Sequence, residues 1–411
     1  MLNPSETIHS KFMNKKTSPD YLKIWAMAED LPWFALVTTG RTGTDFLQSL
    51  FDSHPEVFVF NGQFYFHDFW ATAKSVNYGG DLKTEDIVDE FIGLHIKQLK
   101  SRYDVVERKG ELGENRDASI DIDIGVFRNH ILGLMALREV TSTKFITAIY
   151  VAYALCLDQN IEKKRLFLHH QHRINRLHPF LTDFPDSKII CMTRDPRANF
   201  VSGVEHWRRY EAKTDNPSYP LYILKRAIDE QKDLLIHNPD SVRMLKLESL
   251  GNEATLHNLC LWLGISYDVC LTRSTWAGLR WWGDRLSTSK VAENERGFSP
   301  TVIRNNWKEK LSRIDLVLLE YLLSDMLEIY SYEYERKSGI GYAIFVILAI
   351  LLPTTYERRY LSPGYLLAAI TKGELRKVLV SFYHPMRRII YFYDLFYRRA
   401  TKRNIFIPSL K

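Results

Sequence analysis

Two segments of the sequence place glycine, arginine and hydroxyl side chains directly after an apolar run, a pattern suited to binding an anion. In the first segment, residues 34–37 are apolar and residues 39–45 read Thr-Gly-Arg-Thr-Gly-Thr-Asp. In the second, the apolar residues 189–192 lead into Thr-Arg-Asp-Pro at residues 193–196. A strand that turns into a helix presents unpaired N–H groups and the positive end of the helix dipole to a ligand. The two segments in this order predict a chain that binds a nucleotide at two phosphate positions.

The first segment is suited to hold a phosphate. Its glycines permit positive φ and a close approach of the backbone to a ligand, and its arginine adds a cation with several donors. The apolar spacing predicts a helix over about residues 44–53. The loop is not the ATP type, which carries lysine where this chain has arginine, and an ordinary strand–turn–helix is the alternative. The predicted anion-binding residues are Thr39, Gly40, Arg41, Thr42, Gly43, Thr44 and Asp45.

The second segment begins another helix, because Pro196 suits the first helical turn. Ser202 follows Arg194 by eight residues, so guanidinium and hydroxyl could both reach one phosphate at the helix start. The alternative is a surface salt bridge from Arg194 to Asp195 or Glu205, with Ser202 facing solvent. Taken alone, the second segment favours this alternative.

In order and spacing, the two segments resemble those of the sulfotransferases that use 3′-phosphoadenosine 5′-phosphosulfate (PAPS). In that family the first loop holds the 5′-phosphosulfate, and an arginine and a serine eight residues apart hold the 3′-phosphate, matched here by Arg194 and Ser202. The arginine in the loop and the following residues 50–55 resemble the tyrosylprotein and bacterial carbohydrate branches. The resemblance covers about residues 33–332 and implies PAPS as the donor.

A later polar loop with two adjacent tryptophans resembles the serine–lysine loop that closes over the cofactor in the tyrosylprotein branch. The resemblance implies that Ser287, Ser289 and Lys290 contact the phosphosulfate. It also implies that Trp281 or Trp282 stacks on the adenine or the sugar. Core tryptophans and a solvated loop are the alternative.

The chemistry that the family performs needs a cation and a base. Transfer of a sulfuryl group builds negative charge on the leaving phosphate, which Arg41 is expected to stabilise, and the acceptor hydroxyl must lose a proton. Related branches place a glutamate where this chain has Gln63, which cannot take up a proton. We predict His67 as the base, Asp68 as its orienting partner or as the second candidate, and His170 as the third. The aromatic neighbours of His67 are equally compatible with a packed histidine.

Three close histidines, His169, His170 and His172, suggest a metal site at first sight. The sequence has no cysteine pair or HExxH spacing that would support zinc. We therefore expect no metal ion and assign this group to the substrate channel.

Composition bounds the fold. With 411 residues, 45% hydrophobic and 25% charged, the chain is typical of a globular protein with one main domain and an appendage. Four cysteines without a close pair fit a reducing compartment. The first thirty residues contain no long apolar run, so we expect no signal peptide or N-terminal anchor, as in a bacterial or other cytosolic-side enzyme. We predict an α/β, P-loop-like three-layer fold with a central parallel sheet, divided into residues 1–32, a catalytic domain at 33–338 and a helical extension at 339–411.

The C-terminal extension is basic and aromatic. Residues 353–411 contain 12 Lys/Arg and 3 Asp/Glu, a net charge of +9, whereas the remainder of the chain carries −3. The preceding 13 residues, 340–352, form an apolar run shorter than the ~20 that a spanning helix needs. The pattern favours a segment bound to an anionic membrane, peripheral on its cytoplasmic face. A buried helix with a basic arm for homo-oligomerisation or a protein partner is the alternative. A chain ending near Ser338 is expected to stay folded and bind the donor.

Together these features predict a cytoplasmic sulfotransferase that moves a sulfuryl group from PAPS to a hydroxyl of a carbohydrate or glycolipid, with no nucleic acid partner. A P-loop kinase-like phosphotransferase is one alternative, but it would need the lysine of the ATP-type loop. A non-catalytic protein that binds phosphate or membranes is the other, and it would leave the paired phosphate segments unexplained.

Overall fold

The structure of the protein is a computed structural model that describes seven stretches of the chain. They are residues 19–38, 40–76, 83–100, 110–210, 219–237, 239–283 and 306–410. Thr39, Ser287, Ser289 and Lys290 lie outside these stretches, so their predicted contacts stay predictions.

A five-stranded parallel sheet forms the centre of the fold, with its strands in the order β2-β3-β1-β4-β5. The strands are β1 (Trp33–Thr38), β2 (Val57–Val59), β3 (Leu166–Gln171), β4 (Lys188–Thr193) and β5 (Val242–Lys246). Side chains on both faces of the middle strands are buried, which explains why β1 and β4 are continuous apolar runs in the sequence. A separate antiparallel pair consists of β6 (Thr275–Trp276) and β7 (Leu279–Arg280). The predicted α/β fold with a central parallel sheet is confirmed.

Helices cover both faces of the sheet. Along β1, Phe34 and Leu36 point into a core shared with the helices that follow β1 and β5, whereas Ala35 and Val37 point into the core on the other face. The helices up to the end of this unit are α1 (Tyr21–Ala28), α2 (Thr44–Phe51), α3 (Phe66–Val76), α4 (Thr84–Leu99), α5 (Ile124–Met135), α6 (Ser142–Cys156), α7 (His178–Asp183), α8 (Pro196–Tyr210), α9 (Tyr219–His237) and α10 (Glu253–Leu263).

The middle three strands end at nearly the same level. Val37 of β1 is paired with Gln171 of β3, and Thr38 with Met192 of β4. The connection that leaves β1 leads towards β2, and the one that leaves β4 leads in the opposite direction, to β5. Neighbouring connections that depart in opposite directions open a crevice at the carboxyl ends of the strands. Both predicted phosphate segments border this crevice.

The C-terminal region is helical, as predicted. Its helices are α11 (Arg313–Leu322), α12 (Ser324–Ile329), α13 (Ile340–Ile350), α14 (Thr355–Arg358), α15 (Pro363–Thr371) and α16 (Leu375–Ala400). Residues of α13 and α16 share one hydrophobic core with residues of α8, α9 and α11. Beyond α16, the Met244 N–H donates to Pro408 O and the Leu410 N–H to Met244 O, each over 2.8 Å, so the chain end pairs with β5. This shared core argues against the expectation that the region can be removed at Ser338, because truncation would strip apolar partners from α8 and α9.

A buried ion pair joins the C-terminal helices to one another. Arg388 on α16 and Glu357 on α14 lie 2.8 Å apart, and both side chains are 1% exposed. The Arg388 guanidinium also donates to the carbonyl oxygens of Ile350 and Leu352, at 2.9 and 3.0 Å. Glu357 in turn accepts from the Thr354 N–H in a capping box. The pair therefore fixes the end of α13 against α14 and α16.

We predict that Arg388→Met lowers the free energy of unfolding by about 3–5 kcal/mol, since it leaves the Glu357 carboxylate buried without its cation. Adding Glu357→Gln should recover part of that loss. The measurement is urea unfolding, with Arg336→Met as the matched control. That change breaks an exposed ion pair with Glu328 and should leave the free energy of unfolding nearly unchanged. Equal losses in the two single variants would contradict the buried role of Arg388.

Candidate active site

The loop after β1 has a backbone that turns through the left-handed region three times. The angle φ is +100° at Gly40, +50° at Arg41 and +88° at Gly43. The Thr38 and Thr42 hydroxyls lie 2.6 Å apart, and Thr38 Oγ1 accepts from the Gly40 N–H over 2.8 Å. Thr42 is fully buried, so its hydroxyl holds the loop together from inside. What the loop offers a ligand is its backbone and the Arg41 side chain.

An arginine on α9 contacts this loop and the strand ends beside it. Arg226 Nη2 donates to Thr38 O at 3.3 Å and to His172 O at 2.7 Å, which ties the carboxyl ends of β1 and β3 together. A Cβ at Gly40 would lie 3.2 Å from Arg226 Nη1. The close approach of loop and guanidinium is therefore possible because residue 40 has no side chain.

The first turn of α2 follows the loop and carries the remaining predicted donor-binding residues. Its N-cap, Gly43, offers no side chain to the first N–H groups, so an anion at the helix start can take that place. Thr44 is buried. The Asp45 carboxylate lies 3.5 Å from His172 Nε2 and 3.8 Å from His170 Nδ1. A carboxylate repels a phosphate, so the group that Asp45 can offer to a donor is its backbone N–H.

Arg194 places a half-buried positive charge at the end of β4. Burial lowers the pKa of Arg194, the Glu248 carboxylate raises it, and the charge of Arg41 lowers it again. The guanidinium stays protonated at any accessible pH, so the two arginines repel each other. Within the part of the chain that the structure describes, the Arg194 guanidinium makes no hydrogen bond or ion pair. An anion between Arg41 and Arg194 would supply the hydrogen-bonded counter-charge that Arg194 lacks.

The alternative of a surface salt bridge from Arg194 is wrong. The Asp195 carboxylate binds Arg197 at 2.8 Å, inside the protein. Glu205 binds Lys310 at 2.7 Å. Ser202 lies in the second turn of α8 and is partly buried.

The two first-ranked base candidates do not form a pair. His67 Nε2 lies 3.0 Å from Asp183 Oδ2, and the Asp68 carboxylate pairs with Arg176. The expectation that Asp68 orients His67 is therefore wrong, since Asp183 has that place. The His67 ring packs against Phe180, which belongs to the core on the face of the sheet opposite to α2.

His170 lies on the same face of the sheet as α2. Its Nδ1 is 2.6 Å from Gln48 Oε1, while Gln48 Nε2 donates to the carbonyl oxygens of Phe60 and Gly62 at 2.6 and 3.2 Å. These bonds orient the Gln48 amide, so its oxygen accepts from the His170 Nδ1–H and leaves the lone pair on Nε2. Among the described residues, this buried Nε2 has no hydrogen-bond partner. Burial, reinforced by His172, lowers the pKa of His170 to about 3, so the ring is neutral near pH 7.

The three close histidines divide between the two faces of the sheet. His169 stacks on Phe180 and belongs to the core. His170 and His172 instead join Asp45, and one potential ligand atom from each lies within 4.8 Å of the others. Within the described ranges, this is the only group of three such residues. Two histidines and a carboxylate are ligands that zinc accepts. The sequence alone does not indicate this group, because Asp45 lies far from the histidines along the chain.

The two adjacent tryptophans have protein neighbours. The Trp282 ring lies 3.3 Å from the guanidinium carbon of Arg280 and 4.6 Å from that of Arg116. Trp281 packs edge-on against Trp276. These contacts match the alternative of packed tryptophans.

Two further residues that the sequence did not mark as functional complete the crevice. Glu248 accepts from the Asp195 N–H at 2.9 Å and from the Tyr332 hydroxyl at 3.0 Å. Both of its oxygens are thus engaged beside Arg194. Tyr332 and Glu248 are 84 residues apart, and no local motif signals such a contact.

Comparison with known proteins finds one matching family and two similar solved structures. Residues 32–234 match the family described as "Sulfotransferase domain". One similar solved structure is a "Sulfotransferase Domain from the Curacin Biosynthetic Pathway", at 14% identity and a TM-score of 0.39, covering 74% of this chain and 99% of that one. Another is the "Sulfotransferase Domain from the Synechococcus PCC 7002 Olefin Synthase", at 15% identity and a TM-score of 0.40, covering 78% and 100%. No curated protein matches the sequence.

The matched residues run from β1 to α9 and include both phosphate segments. Residues 32–234 belong to the sulfotransferase domain family, and the chain is a sulfotransferase enzyme.

We predict that Gly43→Ala destabilises the protein. Residue 43 has φ of +88°, and a Cβ there would lie 2.5 Å from Leu247 Cδ1, so the backbone strain of about 1–3 kcal/mol adds to a steric clash. The measurement is the urea midpoint. Gly93→Ala on α4 is the control, because its Cβ would meet nothing within 4 Å and should stabilise the helix by about 0.5–1 kcal/mol. A neutral Gly43→Ala would show that the loop does not need its observed backbone.

Proposed function

We propose that the enzyme transfers the sulfuryl group of PAPS to a hydroxyl of a carbohydrate or glycolipid. The observation that carries the donor is the half-buried Arg194 guanidinium beside Arg41, which has no hydrogen-bond partner among the described residues. A nucleotide with phosphates on its 3′ and 5′ positions presents two separate anionic groups. Arg41 and the start of α2 would hold one, and Arg194 with Ser202 the other.

The residues of the crevice fit such a donor. Gly40 and Gly43 leave the loop backbone open to close approach, and α2 starts without a side-chain cap. PAPS would supply the activated sulfuryl group. Arg41 and the first N–H groups of α2 would stabilise negative charge on the leaving 5′-phosphate. Arg194 would fix the 3′-phosphate and thereby orient the reacting end of the donor.

For the base, we propose His170 ahead of His67. A base must lie within hydrogen-bond reach of the acceptor hydroxyl, and geometry ranks before pKa in choosing it. His170 lies beside α2, which begins at the phosphate loop, whereas His67 lies across the sheet and is paired with Asp183. The lone pair on His170 Nε2 is buried and unused. Once Nε2 has taken a proton, the Asp45 carboxylate, 3.8 Å from Nδ1, would stabilise the cation.

The proposed acceptor class rests on the arginine form of the phosphate loop, which resembles both the bacterial carbohydrate and the tyrosylprotein branches. The assay that tests it uses labelled PAPS with panels of glycans, glycolipids and tyrosine peptides. Transfer to tyrosine peptides alone would overturn the carbohydrate assignment and leave the sulfotransferase class intact.

We predict that adenosine 3′,5′-bisphosphate raises the unfolding temperature more than ATP at equal concentration. A ligand that binds only the native state stabilises it, by about 2.7 kcal/mol at a hundredfold excess over Kd. Arg194→Ala should weaken bisphosphate binding at least about tenfold, since a hydrogen bond to a charged group contributes roughly 1.5–3 kcal/mol. Isothermal titration calorimetry measures this change.

Arg165→Ala is the matched control. Arg165 precedes the amino end of β3 and donates to the carbonyl oxygens of Glu162 and Lys164, at the edge of the sheet away from the crevice. Its loss should leave bisphosphate affinity unchanged. Equal stabilisation by ATP and the bisphosphate would count against PAPS.

We predict that His170→Ala lowers kcat by about 10²–10⁴, the usual contribution of a general base, while bisphosphate affinity stays within about threefold. Because the pKa of His170 is about 3 in the free enzyme, its protonation does not reduce kcat/KM as the pH falls from 8 to 5. The measurement is the pH profile of kcat/KM for the unmodified enzyme, His170→Ala and His67→Ala.

An acid limb of the kcat/KM profile that disappears in His67→Ala would return the role of base to His67. The same assays with a chelator examine the metal. We propose that transfer needs no metal ion, so activity should survive chelation. Loss of activity that zinc restores would assign Asp45, His170 and His172 to a metal site.

A further inference from the structure

The C-terminal helices expose a large amount of apolar surface. Among the described residues, sixteen of the twenty-six exposed large hydrophobic side chains lie after residue 339, in the last 72 of 411 residues. Single exposed apolar residues are common on soluble proteins, whereas contiguous groups mark a surface that binds something.

On α16 the exposed apolar residues lie along one side of the helix. At 100° per residue they fall within a sector of about 100°, and Leu379 and Ile390 are 71% and 64% exposed. The opposite side carries the buried residues of α16, including Tyr391, Phe392 and Leu395. The exposed apolar set, called the α16 stripe, is Leu375, Leu379, Phe382, Tyr383, Met386, Ile390 and Tyr397.

The helix α13 has the same two-sided character. It buries Val346, Ala349 and Ile350 in the shared core, and it exposes Ile340, Ile344, Phe345 and Leu348. The helical stretch Ile340–Arg358, 19 residues with a mean hydropathy of 1.7, is long and apolar enough to cross a membrane, but 33% of it is buried inside the protein. The carboxyl end of this stretch is held to α16 by the buried Arg388–Glu357 ion pair. These contacts fit a helix that lies along a surface and keeps its inner side on the protein.

The exposed charges around these helices are positive. Between residues 340 and 390, the exposed charged residues are Arg358, Arg359, Lys372, Arg376, Lys377 and Arg387. The two acidic residues of that interval are engaged, Glu357 with Arg388 and Glu374 with Lys377 at 2.9 Å. An apolar surface flanked by cations matches a bilayer with anionic lipids. A second copy of this chain would bring the same positive charge against it.

We propose that the α16 stripe and the exposed side of α13, with the flanking arginines and lysines, bind the enzyme to the surface of an anionic membrane. The apolar side chains would enter the boundary between headgroups and acyl chains, and the long basic side chains would reach the headgroups. This surface begins close to the crevice. Tyr332 donates to Glu248 beside Arg194, and the eight residues from Tyr332 to Ile340 span at most about 28 Å. On the proposed function, this surface would favour acceptors carried on lipids.

The experiment is flotation of the full-length protein with phosphatidylcholine vesicles, with and without phosphatidylglycerol, at low and high salt. We expect binding to the anionic vesicles that weakens with salt. Arg376→Gln with Arg387→Gln should lower the partition coefficient about fivefold per charge removed. Leu379→Glu with Met386→Glu should lower it at least about tenfold at both salt concentrations, because burial of apolar surface is not screened. Leu261→Glu on α10, 79% exposed, is the matched control and should float like the unmodified protein.

Three results would overturn the proposal. The unmodified protein fails to float with anionic vesicles at low salt, or the Leu379→Glu, Met386→Glu variant floats as well as it does. In the third, the protein never floats, and light scattering shows a dimer that Leu379→Glu with Met386→Glu dissociates. That result would assign the α16 stripe to contact with a second copy of the chain. Flotation uses neither donor nor acceptor, so its failure is distinguishable from failure of the proposed function.

Discussion

The site depends on a positive charge, that of Arg194, which has no hydrogen-bonded partner among the described residues. Three carboxylates lie close to Arg194 in sequence or space, and each is used elsewhere. Asp195 binds Arg197, Glu205 binds Lys310, and Glu248 accepts from a backbone N–H and a tyrosine hydroxyl. A half-buried guanidinium without a hydrogen-bonded counter-ion is costly, and a bound anion would reduce that cost. The crevice at the carboxyl ends of β1, β3 and β4 therefore suits an anionic ligand, because its charge is already partly desolvated.

The sequence predicted the parts of this site that are encoded locally. Apolar runs indicated β1 and β4, and glycines marked the loop between β1 and α2, because strand burial and positive φ depend on a few adjacent residues. The end of α10 at Gly264, where φ is +84°, is encoded locally for the same reason.

Partners that lie far apart in the chain could not be predicted this way. His67 meets Asp183 across 116 residues, so the adjacent Asp68 was the wrong choice of partner. His170 meets Gln48 across 122 residues. The end of β3 is polar, so the sequence did not identify residues 169–171 as part of a strand. Without that strand, the spacing of the histidines could not show that His169 and His170 lie on opposite faces of the sheet. Which face each residue occupies follows from the sheet, and the sheet is assembled by strands that are distant in sequence.

The C-terminal region shows a related limit, with a consequence for function. Its apolar run and basic charge indicated a surface-seeking segment, but hydropathy does not reveal that the inner sides of α13 and α16 complete the core over α8 and α9. Arg197, in the first turn of α8, donates to the carbonyl oxygen of Glu333, in the segment that leads to α13. The helix that begins at the second phosphate segment is thus bonded to the chain that carries the exposed apolar face. A membrane bound there, as proposed, would hold the crevice at a set distance from the bilayer, because α13 and α16 share a core with α8 and α9.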